Sequence, residues 1–241
     1  MAAKVLKGAL ISFMPTFIGA TPNVVVFQIN PESITHTWNV MAPTGTGAKS
    51  GGDPLAVNGY PGETFAFTLV MDSNDLIADG DTNPVGAAIA TVSGLYSQLA
   101  ALEMLQYPAD SSSSLVGSVS ASISAAGASV SGSASSTPQT VPRLQVPTVL
   151  FVWGPERIVP VRVTALTINE KLYDGLLNPS HAEAQITLKV LTPDDVRDVP
   201  EPMKTIATVA YEYTQGLRQG FALANLGNAA ASILGMLPTP F

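Results

Sequence analysis

Only two histidines, His36 and His181, and no cysteine occur in the 241 residues. That restricts imidazole acid–base work to two positions and removes disulfides, thiolate metal sites and cysteine nucleophiles. His36 alternates with Ile34 and Trp38 at the two-residue spacing of a strand face, which predicts a hydrogen-bonded core or interface histidine ahead of a ligand or base. His181 opens a strand and has no partner nearby in sequence. The serine-rich segment contains no Gly-x-Ser-x-Gly elbow. The run Gly45-Thr46-Gly47-Ala48-Lys49-Ser50 looks like a phosphate loop but lacks a glycine directly before the lysine, and Gly51-Gly52-Asp53-Pro54 cannot start the required helix. Asp72, Asp75, Asp79 and Asp81 suggest calcium until Ile77 falls where an EF-hand needs an oxygen; a solvated turn is expected, with a weak cation site as the alternative. Glu156-Arg157, Glu170-Lys171 and Asp194-Asp195-Val196-Arg197 read as rim charges. No catalytic, cofactor-binding or metal-binding set assembles, and the expectation is a protein that is not an enzyme and holds no cofactor.

The elements that would position these residues begin as strands. Lys4 and Lys7 precede the apolar stretch Gly8 to Ala20, which loosely mimics a signal peptide, but Pro15 interrupts it and a first strand is expected. Val25, Phe27 and Ile29 alternate, Asn30-Pro31-Glu32-Ser33 supplies a turn, and Ile34, His36, Trp38 and Val40 share the next face, which predicts a hairpin with one buried side. Met41 to Gly62 reads as a long loop, and Phe65, Phe67, Leu69 and Met71 as the next strand. Val85, Ile89, Val92, Leu95, Leu99, Leu102 and Leu105 predict one amphipathic helix over 84–106, capped by Asn83, with Pro84 at its first position and Pro108 stopping it. The Ser/Ala/Gly/Val stretch, about 109–142, cannot bury enough apolar surface alone and reads as a mobile insertion. Strands return at Val149–Trp153, at Ile158–Lys171 with a phase switch near Thr164-Ala165, and at 182–190, with Asp174-Gly175 and Asn178-Pro179 turning between the last two. Met203, Ile206, Val209, Tyr213, Leu217 and Phe221 mark a C-terminal helix. The sum is a mainly β, α+β fold: a β-sandwich or partly closed β-barrel with one packed helix and a C-terminal helix. It divides into a β domain over 1–199 and an apolar helical extension over 200–241.

Charged residues make up 12% of the chain, about half the usual share, which leaves little to solvate a monomer's surface and points to an assembly component. A net charge of −7 without a basic run makes nucleic acid a poor partner. No charged residue follows Arg218, but the apolar run Phe221 to Leu237 contains Asn225 and Asn228 and falls short of the roughly 20 residues of a bilayer crossing, so a buried or partner-covered helix is expected.

Four stretches, in order, resemble the inner-tube and tube-adaptor proteins of contractile, phage-tail-like injection systems. They are 27–35 (FQINPESIT), 61–69 (PGETFAFTL), 150–154 with 157–161 (LFVWG and RIVPV), and 177–179 with 182–184 (LNP and AEA). The likeness covers roughly residues 20–200 and is strongest to the adaptor that joins the stacked tube to the spike. It implies a homo-hexameric ring at the baseplate that seeds the inner tube, contacts inner-tube subunits, a VgrG-like spike and other baseplate subunits, and is assembled in the bacterial cytoplasm. Thr35, Thr37 and Asn39, or Glu183, Gln185 and Lys189, are then candidates for a lumen wall. The family's tube-like domain is often followed by a LysM module, which is not evident here, and the insertion at 109–142 is no expected family feature. A tube-initiating or cap-side ring stays open beside the spike adaptor. Two other readings are a secreted or surface-layer structural β-protein, and a small-ligand binder with a pocket under the central helix.

Overall fold

The computed structural model describes residues 6–13, 23–40, 57, 59–78, 83–108, 146–199 and 201–236. The phosphate-loop-like run at 45–50, Asp79 and Asp81, most of the expected loop over 41–62, and the Ser/Ala-rich insertion lie outside these residues. Seven strands are present: β1 (Ala9–Phe13), β2 (Asn23–Val26), β3 (Ile34–Asn39), β4 (Gly62–Asp72), β5 (Thr148–Val152), β6 (Ile158–Tyr173) and β7 (Pro179–Val190). All pair antiparallel in one sheet of order β2-β1-β5-β6-β7-β4-β3. The helices are α1 (Ser73–Ala78), α2 (Pro84–Ser93), α3 (Tyr96–Glu103) and α4 (Met203–Met236).

The alternation of β4 and β7 does what their sequences predict. Phe65, Phe67, Leu69 and Met71 are buried, as are Ala182, Ala184, Ile186, Leu188 and Val190. The phase switch in β6 is a register shift between Val163 and Ala165, where one extra residue moves the apolar set to the other parity. The sheet then coils around this apolar face. Phe65 on β4 and Phe151 on β5 are three strands apart, about 14 Å in a flat sheet, yet their ring centroids lie 5.3 Å apart. Phe27 completes the cluster against Phe67 and Phe151 at 5.6 and 6.5 Å.

Two expectations fail here. The strands form one sheet, not the two of a sandwich, and that sheet does not close into a β-barrel: β2 and β3 stand at its edges, with no backbone ladder between them among the described residues. Where the β2 end of the chain approaches β4, a side chain replaces the ladder. The Gln28 amide donates to Asp72 O at 2.7 Å and accepts from Asp72 N at 3.0 Å. The expected hairpin of 24–29 with 34–40 is also absent, because β2 pairs with β1 and β3 with β4. Burying Phe27 and bonding Gln28 carries the chain across the concave face, so Asn30-Pro31 lies in a crossing, not a tight hairpin turn.

The predicted single helix over 84–106 is two helices bent by 96°. Asn83 does cap α2, its side-chain oxygen accepting from Gly86 N at 3.0 Å, and Pro84 takes the first turn. The break falls at Gly94, whose φ of 56° and ψ of −128° suit glycine alone. A Cβ there would meet Pro179 O at 2.5 Å. Leu95 N donates to that same carbonyl at 3.0 Å. The bend buries Leu95, Leu99, Leu102 and Leu105 and leaves Val85, Ile89 and Val92 exposed. The β6–β7 turn is fixed from within. Asp174 Oδ1 accepts from Leu176 N and Asn178 N, and Asn178 Nδ2 reaches Asp174 Oδ2 and Val92 O.

Gly94→Ala combines an unfavourable backbone conformation with a steric conflict at Pro179, and it should destabilise the fold by about 3 kcal/mol. Urea unfolding of the two proteins measures this as a lower midpoint at unchanged slope.

Candidate functional site

Glu63 begins the inward-facing series Glu63, Phe65, Phe67 and is 4% exposed, a carboxylate on an apolar strand face. Such a group stays ionised only when paired and hydrogen-bonded. Register supplies one partner: β3 lies antiparallel to β4 with His36 opposite Phe65, and His36 Nε2 lies 2.6 Å from Glu63 Oε1. The ring stacks on Phe65 at 4.0 Å and 22°, and lies 3.6 Å from Trp38 between centroids. The second partner comes from far along the chain. The Arg218 guanidinium on α4 takes both carboxylate oxygens, Nη1 donating to Oε2 at 2.9 Å and Nη2 to Oε1. Arg157, in the β5–β6 turn, lies over the other end of the cluster with its guanidinium carbon 5.3 Å from the Phe65 ring centroid.

The electrostatics follow from burial. Arg218 is held above its ordinary pKa, chiefly by its hydrogen bonds to Glu63. Arg157 is pushed down, first by burial and then by the charge of Arg218. Burial also lowers His36; Glu63 opposes this, while Arg157 and Arg218 reinforce it. The neutral imidazole, donating from Nε2, is therefore the form this site selects. Tyr211, beside the cluster on α4, is raised by burial.

Two further contacts bring α4 to this place. Thr214 is 2% exposed, and its hydroxyl accepts from Ile158 N at 3.2 Å while donating to Ile158 O at 2.7 Å. It thereby satisfies both backbone groups of the first β6 residue, as a neighbouring strand would. Tyr213 Oη donates to Pro155 O at 2.9 Å. Thr214 and Arg218 lie four apart on one helix face, so the geometry fastens α4 across the start of β6 and the buried end of β4.

His36 is a hydrogen-bonded, half-buried histidine, as its spacing predicts. His181 has a partner that sequence does not offer: its Nδ1 lies 3.4 Å from Asp72 Oδ2. Lys171 pairs with Glu183 at 2.5 Å across β6 and β7, and Arg197 pairs with Asp194 at the rim. Arg157 is no rim charge, because the curl of the sheet brings Phe65 beneath it. Glu63, Arg218 and Thr214 were missed by the sequence reading. The first carried a readable signal, a charged residue in phase with Phe65 and Phe67 that demands a partner; nothing local named Arg218. Among the described residues no cluster of three or more acidic, histidine or cysteine side chains is placed to hold a metal ion. Under the helix pair, Glu103, Gln106 and Tyr107 of the segment from α3 onward and Leu166 and Ile168 of β6 line an open groove of about 410 Å³. No family model matches the chain. A comparison with curated proteins finds no match either.

Arg218→Met strands the Glu63 carboxylate and should destabilise the fold by about 3 kcal/mol, at the low end for a broken buried pair because the arginine keeps partial solvent access. The double variant Glu63→Gln/Arg218→Met should recover part of that loss in chemical denaturation, since no charge is left unpaired. The lowered pKa of His36 sets a pH dependence. The unfolded chain takes the proton first, near the ordinary value of 6.5, so stability declines as pH falls below about 6.5 and stops declining below the folded value. His36→Gln should flatten that decline when unfolding free energy is compared with the unaltered chain from neutral to mildly acidic pH.

Proposed function

We propose that the chain is a structural adaptor subunit of a contractile injection particle, whose copies lie side by side in a six-fold ring that links the inner tube to the spike and seeds tube assembly. The observation that carries this reading is the chemistry of the two sheet edges. Sheet proteins that act alone blunt such edges with lysine, proline or inward charges. Neither β2 (NVVV) nor β3 (ITHTWN) holds a charged residue or a proline. Val24 and Val26 on one edge and Trp38 on the other are exposed, as is Val40 just beyond β3. The edges lie at opposite ends of one sheet, so pairing β2 of one copy with β3 of the next repeats head to tail and ends when the rotation closes.

The outward face of the sheet supports the same reading. Register places Thr35 and Thr37 of β3, Thr64 and Thr68 of β4, Gln185 and Glu183 of β7, and Thr167 and Asn169 of β6 on one face. The two candidate lumen sets are thus one polar surface four strands wide. The same face carries Glu183, Lys189, Arg162 and Lys171, so across copies it would form a hydrated wall of mixed charge. The β6–β7 turn offers exposed Leu172, Leu176 and Leu177 to an adjacent layer. The sequence resemblance supplies the particular assembly.

The test is negative-stain imaging with mass measurement of the chain alone and with candidate inner-tube and spike subunits. Six-fold rings in either condition are expected, and Val26→Lys should reduce them without lowering the melting temperature. Monomers under both conditions would sink the proposal.

A further inference from the structure

Strand β6 is 16 residues long, and its two sides are not equally used. On one side β7 follows it from Val161 to Tyr173. On the other, β5 pairs only with Ile158, Val159, Pro160 and Val161. The ladder stops for a local reason: Pro147 stands immediately before β5 and has no N–H to offer. From Arg162 to Tyr173 no strand faces β6 on the β5 side among the described residues. This is a free edge inside the strand order, distinct from the two at its ends. About 20 Å of it, from Ala165 to Lys171, keeps a regular register with β7. Every other residue there turns its N–H and C=O away from β7, and such groups pair most completely with another extended backbone.

The side chains along this edge define which backbone. Past the register shift, Leu166, Ile168 and Glu170 lie on the inward face, opposite the buried Ile186, Ala184 and Ala182 of β7. Leu166 and Ile168 are only partly buried, and they form one wall of the groove whose other wall is Glu103, Gln106 and Tyr107. An added strand points alternate side chains into that groove, so apolar residues belong opposite Leu166 and Ile168. Glu170 fixes the next position. It is exposed, and neither it nor Glu103 belongs to an ion pair among the described residues. An inward charge on a free edge repels strands that cannot neutralise it, which makes it a selector. β2 (NVVV) and β3 (ITHTWN) carry no lysine or arginine, so the exposed edges of a second copy offer nothing to Glu170. A basic residue on a strand from elsewhere does.

We propose that the free half of β6 is a docking edge for an extended segment of a different protein, with apolar residues opposite Leu166 and Ile168 and a lysine or arginine opposite Glu170. The segment runs antiparallel to β6, as β5 does on the same side. Its basic residue therefore comes first and its apolar residues follow at steps of two. Main-chain hydrogen bonds supply the binding, while the groove and the carboxylates of Glu103 and Glu170 supply the selection. Neither β2 nor β3 takes part, so docking here is independent of ring formation.

The probe is a labelled peptide, Thr-Lys-Thr-Val-Thr-Ile-Thr-Gly, compared with its counterpart carrying glutamate in place of lysine, each added to the full-length chain at low ionic strength. Fluorescence anisotropy should show the lysine peptide binding at least about 10-fold more tightly. Glu170→Lys should reverse that preference without lowering the melting temperature, because the native side chain is exposed. Hydrogen exchange should slow at those amides of 165–171 that do not pair with β7, and not at β2 or β3. No binding at about 1 mM peptide, a preference unmoved by Glu170→Lys, or protection at β2 or β3 overturns the proposal. Slow exchange of the same amides without peptide also overturns it. If it is seen in dilute chain, a segment of the chain itself occupies the edge; if it appears only as the chain is concentrated, a second copy does.

Discussion

A single sheet has to bury an aromatic face without a second sheet to press against, and most of the structure follows from how it does so. It coils until β4 faces β5, and Phe65, Phe67, Phe151 and Phe27 meet across the concavity. The coil needs the irregularity in β6 at Val163/Ala165, which adds local twist in the longest strand of the sheet. It needs a lid over the remaining opening, supplied by the buried leucines of the α2–α3 bend. It also gathers Arg157 and Arg218 at one end, where the carboxylate of Glu63 would otherwise be alone in an apolar wall.

That carboxylate decides how α4 attaches. To the apolar contact of Ala207, Ala210 and Tyr211, α4 adds Thr214 and Arg218 against the protein, and it turns Val209 and Tyr213 outward. Polar docking fixes position and angle more narrowly than oily contact, because a bidentate guanidinium tolerates little displacement. The result is a helix whose near half is specified by these contacts and whose next turns, from Gln219 to Gly227, are exposed. The proposed adaptor role calls for a steady shape that offers surfaces in several directions, and that division would serve it.

Local periodicity made much of the fold legible. β4, β7, the displaced phase of β6 and the Asn83-Pro84 start of α2 could be read because each depends on residues adjacent in sequence. The errors came where a distant group overrode the local pattern. A seven-member apolar repeat over 84–106 is a sound helix signal, and only Pro179, more than eighty residues on, shows why Gly94 breaks it. The turn chemistry of Asn30-Pro31 suits a hairpin, but the burial of Phe27 sends the chain across the sheet. The spacing of Met203, Ile206, Val209, Tyr213, Leu217 and Phe221 marks α4 as a helix but does not show which face docks, because Thr214 and Arg218 join Ala207, Ala210 and Tyr211 in the contact. Of the Glu63 cluster, only the environment of His36 was foreseen.

The shared carbonyl of Pro179 has one more consequence. The turn between β6 and β7 closes on Asp174, its Asn178 side chain bonds Val92 O, and the next carbonyl receives Leu95 N at the helix bend. Two joints that look independent in the chain are therefore set to a common length. Adding or removing one residue between Asp174 and Pro179 would shift the carbonyl and misplace the elbow that roofs the core. Natural variants of this protein should keep the number of residues between Asp174 and Pro179 constant, a signature of spacing under selection.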